Sequence, residues 1–200
     1  MNSKPRALLL DADGVVVLPP NPFSRVYAKS IGKDPEAFEP FFKGPFREAL
    51  TGRADLADLV NDCSDLWQWN GPFNELIANW CEAENVPNRP LLEVVADLRK
   101  SGVPVFLATN QEQHRCDYLR QEMFKGVFDD IIASCEVGFM KSEPGYWVAA
   151  IKRVQLLRPA IVAAQVAYLD DKPHDVGVAG DAGLPAFVYK STSQIKSLFT

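Results

Sequence analysis

Short apolar runs separated by longer amphipathic stretches set the pattern of this chain. Ala7-Leu8-Leu9-Leu10 is continuously apolar, as suits a strand covered on both faces. Residues 103–108, 130–134, 166–169 and 185–189 give four further runs that read as strands. Pro104 and Pro185 fall at or near strand starts, where a missing N–H is tolerated. Between the runs, apolar residues recur at helical spacing. Pro90 fits the first turn of a helix through Leu91, Leu92, Val95 and Leu98, closed by Gly102. Residues 111–123, 144–157 and 174–182 give three more helices, the last ended by Gly183. Strands alternating with helices predict an α/β fold: a Rossmann-like, doubly wound parallel sheet with helices on both faces.

One stretch breaks the alternation. Residues 16–89 open on Pro19-Pro20-Asn21-Pro22 and close on Asn85-Val86-Pro87-Asn88-Arg89-Pro90, two breaker-rich segments that read as linkers. Between them the periodicity is helical only, over 23–31, 45–50, 55–66 and 72–82. Trp67, Trp69 and Trp80 belong to this stretch and read as its core. The expected organisation is a sheet domain of residues 1–15 and 90–200, with a helical module of 16–89 inserted after the first strand.

Composition fits this picture and narrows the function. Two hundred residues, 47% of them apolar, can bury roughly 70% of the unfolded chain's surface without a disulfide or structural metal. The four cysteines (Cys63, Cys81, Cys116, Cys135) form no CxxC pair, and His114 and His174 are the only histidines, which argues against zinc. They read as free thiols in a reducing cytoplasm, the expected location. No apolar run approaches about 18 residues, and the first run ends at Asp11, so neither a membrane span nor a secretory signal is expected. Lys plus Arg number 21 against 26 acids, with no basic block, so a nucleic-acid partner is not expected either.

The candidate chemistry lies where the strands end. Ligands of open parallel sheets bind beyond the carboxyl ends of the strands. Strand one runs into Asp11-Ala12-Asp13-Gly14, strand two into Thr109-Asn110, strand four into Asp170-Asp171, and Lys141 follows strand three. Four carboxylates, a hydroxyl and a lysine would meet at one edge. Such hard oxygen donors suit Mg²⁺, and a cluster of aspartates is costly without a cation. The set also suits phosphoryl transfer. One aspartate can attack phosphorus. A second, two residues on, can protonate the leaving oxygen and then activate water. The hydroxyl, the lysine and the metal can hold the phosphoryl oxygens.

These motifs resemble those of the haloacid dehalogenase (HAD) superfamily. Asp11-Ala12-Asp13-Gly14-Val15-Val16 matches the family's DxDG motif, and Thr109 its Thr or Ser after an apolar strand. Lys141 with Pro144 matches the third motif, although Ser142 stands where Pro is commoner, and Asp170-Asp171 matches the acidic pair. The resemblance implies Asp11 as nucleophile and metal ligand, and Asp13 as general acid/base with its backbone carbonyl on the metal. It implies Thr109 and the Asn110 backbone N–H as phosphoryl contacts, Lys141 as the charge partner, and Asp170 and Asp171 as completing the Mg²⁺ site. A helical insert after the first strand resembles the superfamily's C1 cap. Thr51-Gly52-Arg53 resembles a turn in its sugar-phosphate phosphatases and in epoxide-hydrolase N-terminal domains.

The function expected is Mg²⁺-dependent hydrolysis of a small phosphorylated metabolite through an aspartyl-phosphate. Asp13 argues against dehalogenation, because the family's dehalogenases lack that residue. A phosphomutase and a catalytically idle binding protein on the same fold are the alternatives. Thr109 also reads as an N-cap for the helix after it, and Asp175 as a cap for the helix after strand four. His114 and His174 read as non-catalytic, and Lys43, Arg47 and Arg53 as solvated charges, one of which could reach a substrate's distal anion.

Overall fold

A computed structural model of the chain describes residues 4–199. Its strands are β1 (Ala7–Leu10), β2 (Val105–Thr109), β3 (Asp130–Ala133), β4 (Val166–Asp170) and β5 (Ala186–Val188). They form a parallel sheet in the order β3-β2-β1-β4-β5. The chain steps outward from β1 through β2 to β3, then returns to the other side of β1 for β4 and β5. Such a reversal is the switch point at which open sheets place their ligands.

Alternation within β1 explains why both faces are covered. Successive side chains of a strand point to opposite faces. Leu8 and Leu10 join one core, Ala7 and Leu9 the other. Between β1 and β2 the chain forms α1 (Phe23–Ser30), α2 (Glu39–Lys43), α3 (Phe46–Leu50), α4 (Leu56–Asp62), α5 (Ser64–Trp67), α6 (Phe73–Ala83) and α7 (Arg89–Lys100). Beyond β2 come α8 (Gln113–Tyr118), α9 (Ser134–Val137), α10 (Pro144–Leu157), α11 (Pro173–Asp181) and α12 (Thr192–Phe199). α7 and α12 cover the first face with Val94, Val95, Leu98 and Ile195. α10 and α11 cover the second with Tyr146, Trp147, Val154 and Ala179.

Helices α1 to α6 bury their apolar faces against one another. Phe23, Tyr27, Phe38, Phe41, Trp67 and Trp80 form a separate aromatic cluster, with Trp69 packed at its edge. Trp67 is fully buried, with ring centroids 5.0 Å from Phe38 and 5.3 Å from Phe41, both edge-on. The Tyr27 hydroxyl donates to the Trp67 backbone carbonyl at 2.7 Å, so the polar atom of the tyrosine is satisfied inside the cluster. The tryptophans are thus core residues, as the sequence indicates.

Several boundaries differ from the sequence reading. The helix expected over 111–123 starts at Gln113, because the Glu112 carboxylate caps it by accepting the N–H groups of His114 and Arg115. Thr109 is therefore not its cap. The same helix widens into a π turn at Leu119–Met123. The helix expected over 55–66 breaks at Cys63 into α4 and α5. α2 and α12 were not anticipated; α2 carries Pro40 in its first turn, where a missing N–H costs nothing. All four cysteines are free. No helix among the described residues is long and apolar enough to cross a membrane.

Trp67→Ala removes the centre of the aromatic cluster. We expect a loss of about 3–5 kcal/mol, measured by urea unfolding. A loss below about 1 kcal/mol would contradict the packing described.

Candidate active site

The carboxyl ends of β1, β2 and β4 bring most of the anticipated residues together. Asp11 follows β1 directly, and its N–H donates to the Leu169 carbonyl at 3.0 Å, which fixes it between β1 and β4. Thr109 is the last residue of β2 and Asp170 the last of β4; both are buried. Lys141 arrives on the loop before α10, with 0% of its surface exposed. Its backbone is held on both sides. Its N–H donates to Asn110 Oδ1 at 2.9 Å, and its carbonyl accepts from Trp147 Nε1 at 2.8 Å. The Asn110 side chain therefore orients Lys141, a role the sequence reading did not give it.

Lys141 Nζ reaches two carboxylates at once. It contacts Asp11 Oδ1 in a short ion pair and Asp170 Oδ2 at 2.8 Å. Asp170 is further held by the Tyr168 hydroxyl and by the Lys172 N–H at 2.8 Å. Burial alone would lower the Lys141 ammonium's pKa, but Asp11 and Asp170 outweigh it and hold the group charged. Burial likewise opposes ionisation of Asp170, yet Lys141 keeps its pKa below the usual value. Asp11 is left short of compensation. Burial pushes its carboxyl up to about 7, against the pull of Lys141 and with a further push from Asp170.

The remaining deficit points to a cation. Asp11 Oδ2 is buried and has no hydrogen-bond partner. Oxygens of Asp11, Asp170 and Asp171 lie within 4.8 Å of one another, a spacing that can hold a metal ion. All three are hard donors of the kind Mg²⁺ takes. Gly14 makes room for this group: its φ is +98°, and a Cβ there would lie 2.4 Å from Asp171 Oδ2.

Asp13 points elsewhere. Its side chain is 44% exposed, and its carboxylate accepts from Gln111 Nε2 at 2.5 Å. Arg115 Nη2 lies 3.4 Å from its other oxygen. Arg115 itself is buried and extends its Nη1 to within 3.2 Å of Glu84 Oε2. Gln111, Arg115 and Glu84 are functional-site neighbours that sequence reasoning missed. Gln111 and Arg115 do follow β2, so the carboxyl-end rule could have been extended to them; Glu84 carries no local signal.

The other anticipated residues stand as follows. Asp175 lies in the first turn of α11 but does not cap it, since the capping position is Lys172. It is buried instead, which raises its pKa, and it feels the charges of Lys141 and Asp170. His114 Nε2 lies 2.9 Å from Asp55 Oδ1 and its ring packs edge-on against Phe73 at 4.9 Å, joining α8 to the helical insert. Lys43 and Arg53 sit in exposed ion pairs with Glu39 and Glu48. Arg53 also lines a cleft of about 330 Å³ between the 51–53 turn, residues 112–114 and Cys135. At the floor of that turn, a Cβ on Gly52 would lie 2.3 Å from the Cys135 carbonyl.

Comparison with known proteins shows the fold and the family. The epoxide hydrolase "Bifunctional epoxide hydrolase 2" of Rattus norvegicus is 25% identical over 169 residues, covering 76% of this chain and 29% of its own length. The chain thus spans under a third of that relative, and 37% of its Mus musculus counterpart. A HAD family enzyme of Bacteroides thetaiotaomicron, solved as a magnesium complex, superposes with a TM-score of 0.80 at 19% identity, covering 98% of this chain and 99% of that one. L-2-haloacid dehalogenase of Xanthobacter autotrophicus superposes with a TM-score of 0.60 at 16% identity, over 90% and 75% of the two chains. These structural likenesses share the fold. The family model for haloacid dehalogenase-like hydrolases matches residues 5–183, and the chain belongs to that family.

Proposed function

We propose that this protein is a Mg²⁺-dependent phosphatase that hydrolyses a small phosphate monoester through an aspartyl-phosphate on Asp11. The observation that carries the proposal is the buried Asp11 carboxyl, whose Oδ2 has no hydrogen-bond partner, beside Asp170 and Asp171, with the Lys141 ammonium held between Asp11 and Asp170. A divalent cation balances such a site, and with Lys141 it lets the site accept an anionic substrate. Support also comes from the Bacteroides enzyme, which has been solved with magnesium and inorganic phosphate. Asp13 favours phosphoryl transfer over dehalogenation, because a second carboxyl beside the nucleophile is of use when an alkoxide must be protonated as it leaves.

In this reading Asp11, Asp170, Asp171 and the Asp13 carbonyl hold the metal, which when bound supplies positive charge against the phosphoryl oxygens. A carboxylate oxygen of Asp11 attacks phosphorus. The bond from phosphorus to the ester oxygen breaks, and its electron pair stays on that oxygen. Asp13 gives this oxygen its proton, so the alcohol leaves neutral. Asp13, now a carboxylate, takes a proton from water as the water attacks the same phosphorus. The bond to Asp11 breaks, returning the carboxylate and releasing inorganic phosphate. Thr109 and the Asn110 N–H hold the phosphoryl oxygens, and Lys141 holds Asp11 in line. Residues 16–89 act as the cap over a core of 1–15 and 90–200, excluding bulk water and selecting the alcohol portion.

Two outcomes test this. In a phosphate-release screen over sugar phosphates, nucleotides and small organic phosphates, turnover requires Mg²⁺. It falls to background in Asp11→Asn and by about 10²–10⁴-fold in Asp13→Asn. Turnover near the unsubstituted level in Asp11→Asn would remove it as nucleophile. Separately, Mg²⁺ at about a hundred times its Kd should stabilise the fold by about 2.7 kcal/mol, a rise in Tm of roughly 5–10 °C. Asp171→Asn should abolish most of that rise. An unsubstituted protein whose melting does not respond to Mg²⁺ would contradict the metal site.

A further inference from the structure

Arg115 joins the candidate proton donor to the hinges of the insert. It lies in the first turn of α8, and its side chain is only 5% exposed. Its guanidinium stands between two carboxylates from different parts of the molecule: Asp13, 3.4 Å from Nη2, and Glu84, 3.2 Å from Nη1. Glu84 follows the last helix of the insert, immediately before the return linker. Its other oxygen accepts the N–H of Phe23 at 2.7 Å, the first residue of α1 and the first after the outgoing linker. One carboxylate therefore ties together both connections of the insert. One guanidinium ties that carboxylate to Asp13.

The chemistry of arginine suits this post. The guanidinium stays charged and is planar, so two nitrogens can serve two anions that a single ammonium could not span. Its own place is fixed from below, because the Arg115 N–H donates to the buried Glu112 at 2.6 Å. Its Nε is buried without a hydrogen-bond partner, and its Nη1 meets Glu84 as an ion pair without a directed hydrogen bond. The guanidinium thus links Glu84 to one oxygen of Asp13, while Gln111 holds the opposite carboxylate oxygen.

We propose that Arg115 is a positioning residue. It sets the Asp13 carboxyl for proton transfer to the departing ester oxygen and, through Glu84, makes that placement depend on where the insert stands. The proposal rests on the phosphatase reading above, in which the Asp13 O–H proton passes to the ester oxygen as the bond to phosphorus breaks. It adds that Glu84, which touches none of the groups that hold phosphate or metal, affects that same step.

Leaving-group dependence tests the idea. Proton donation matters little for 4-nitrophenyl phosphate, whose leaving group departs readily as an anion, and much for phenyl phosphate, a poor leaving group of similar size. In Arg115→Lys and Glu84→Gln, the ratio of kcat/KM for 4-nitrophenyl phosphate to that for phenyl phosphate should rise about tenfold, and Asp13→Asn should raise it further. A merely structural role would slow both substrates alike and leave the ratio unchanged; that result overturns the proposal. Cleavage within 85–90 by a protease is measured in the same variants without substrate. Faster cleavage at an unchanged Tm supports the tie between Arg115 and the hinges, and unchanged cleavage overturns it whatever the protein hydrolyses. Absence of turnover in the unsubstituted protein instead contradicts the phosphatase reading, and the positioning role falls with it.

Discussion

A single buried ammonium organises this site. Lys141 is completely enclosed, and an enclosed charge survives only if it is paired. Asp11 and Asp170 pair with it from the ends of two adjacent strands, so β1, β4 and the loop before α10 are locked together at their carboxyl edge. The arrangement is over-supplied with negative charge, because Asp171 adds a third carboxylate and Asp11 keeps an oxygen without a partner. The imbalance is costly in a protein interior. It is also what would draw a divalent cation, and in the proposed function that cation and Lys141 together hold an anionic ester on a protein of net charge −5.

The rest of the molecule can be understood as holding that edge in place. β1 is buried on both faces, with Leu8 and Leu10 in one core and Ala7 and Leu9 in the other, so Asp11 has little freedom. Trp147 and Tyr168 pack edge-on at 4.5 Å, and both also bond into the site, to the Lys141 carbonyl and to Asp170. The same aromatic pair therefore fills the core and orients the charges. Asp13 belongs to a different environment, exposed enough to meet a substrate yet gripped by Gln111 and Arg115. In the proposed mechanism these two environments divide the work, with Asp11 as nucleophile and Asp13 as proton carrier.

Much of this was legible in the amino-acid order, for a physical reason. Strands buried on both faces must be apolar throughout, so each run ends visibly where the polar site begins, as Leu10 gives way to Asp11 and Leu169 to Asp170. Asp11, Thr109, Lys141, Asp170 and Asp171 could be found in this way. Gln111 and Arg115 are marked only by following β2, and Glu84 by nothing local, because their meaning lies in contacts between distant positions. Gln111 reaches back 98 residues to Asp13, and Arg115 reaches across to an insert that shares no core with it. Thr109 was misread as a cap because the local pattern contains an acceptable capping residue, whereas the buried Glu112 carboxylate takes that place. The aromatic cluster of the insert was visible as composition, but its helix breaks at Cys63 were not.

The account turns on a bond between Asp11 and phosphorus. The most direct measurement is to quench the protein in acid during Mg²⁺-supported turnover of 4-nitrophenyl phosphate, reduce it with borohydride, and map the product by peptide mass. An acyl phosphate on Asp11 is reduced to an alcohol side chain, so the account predicts homoserine at position 11, dependent on substrate and absent without Mg²⁺. Steady turnover with position 11 remaining aspartate, or reduction at a different carboxylate, would contradict it.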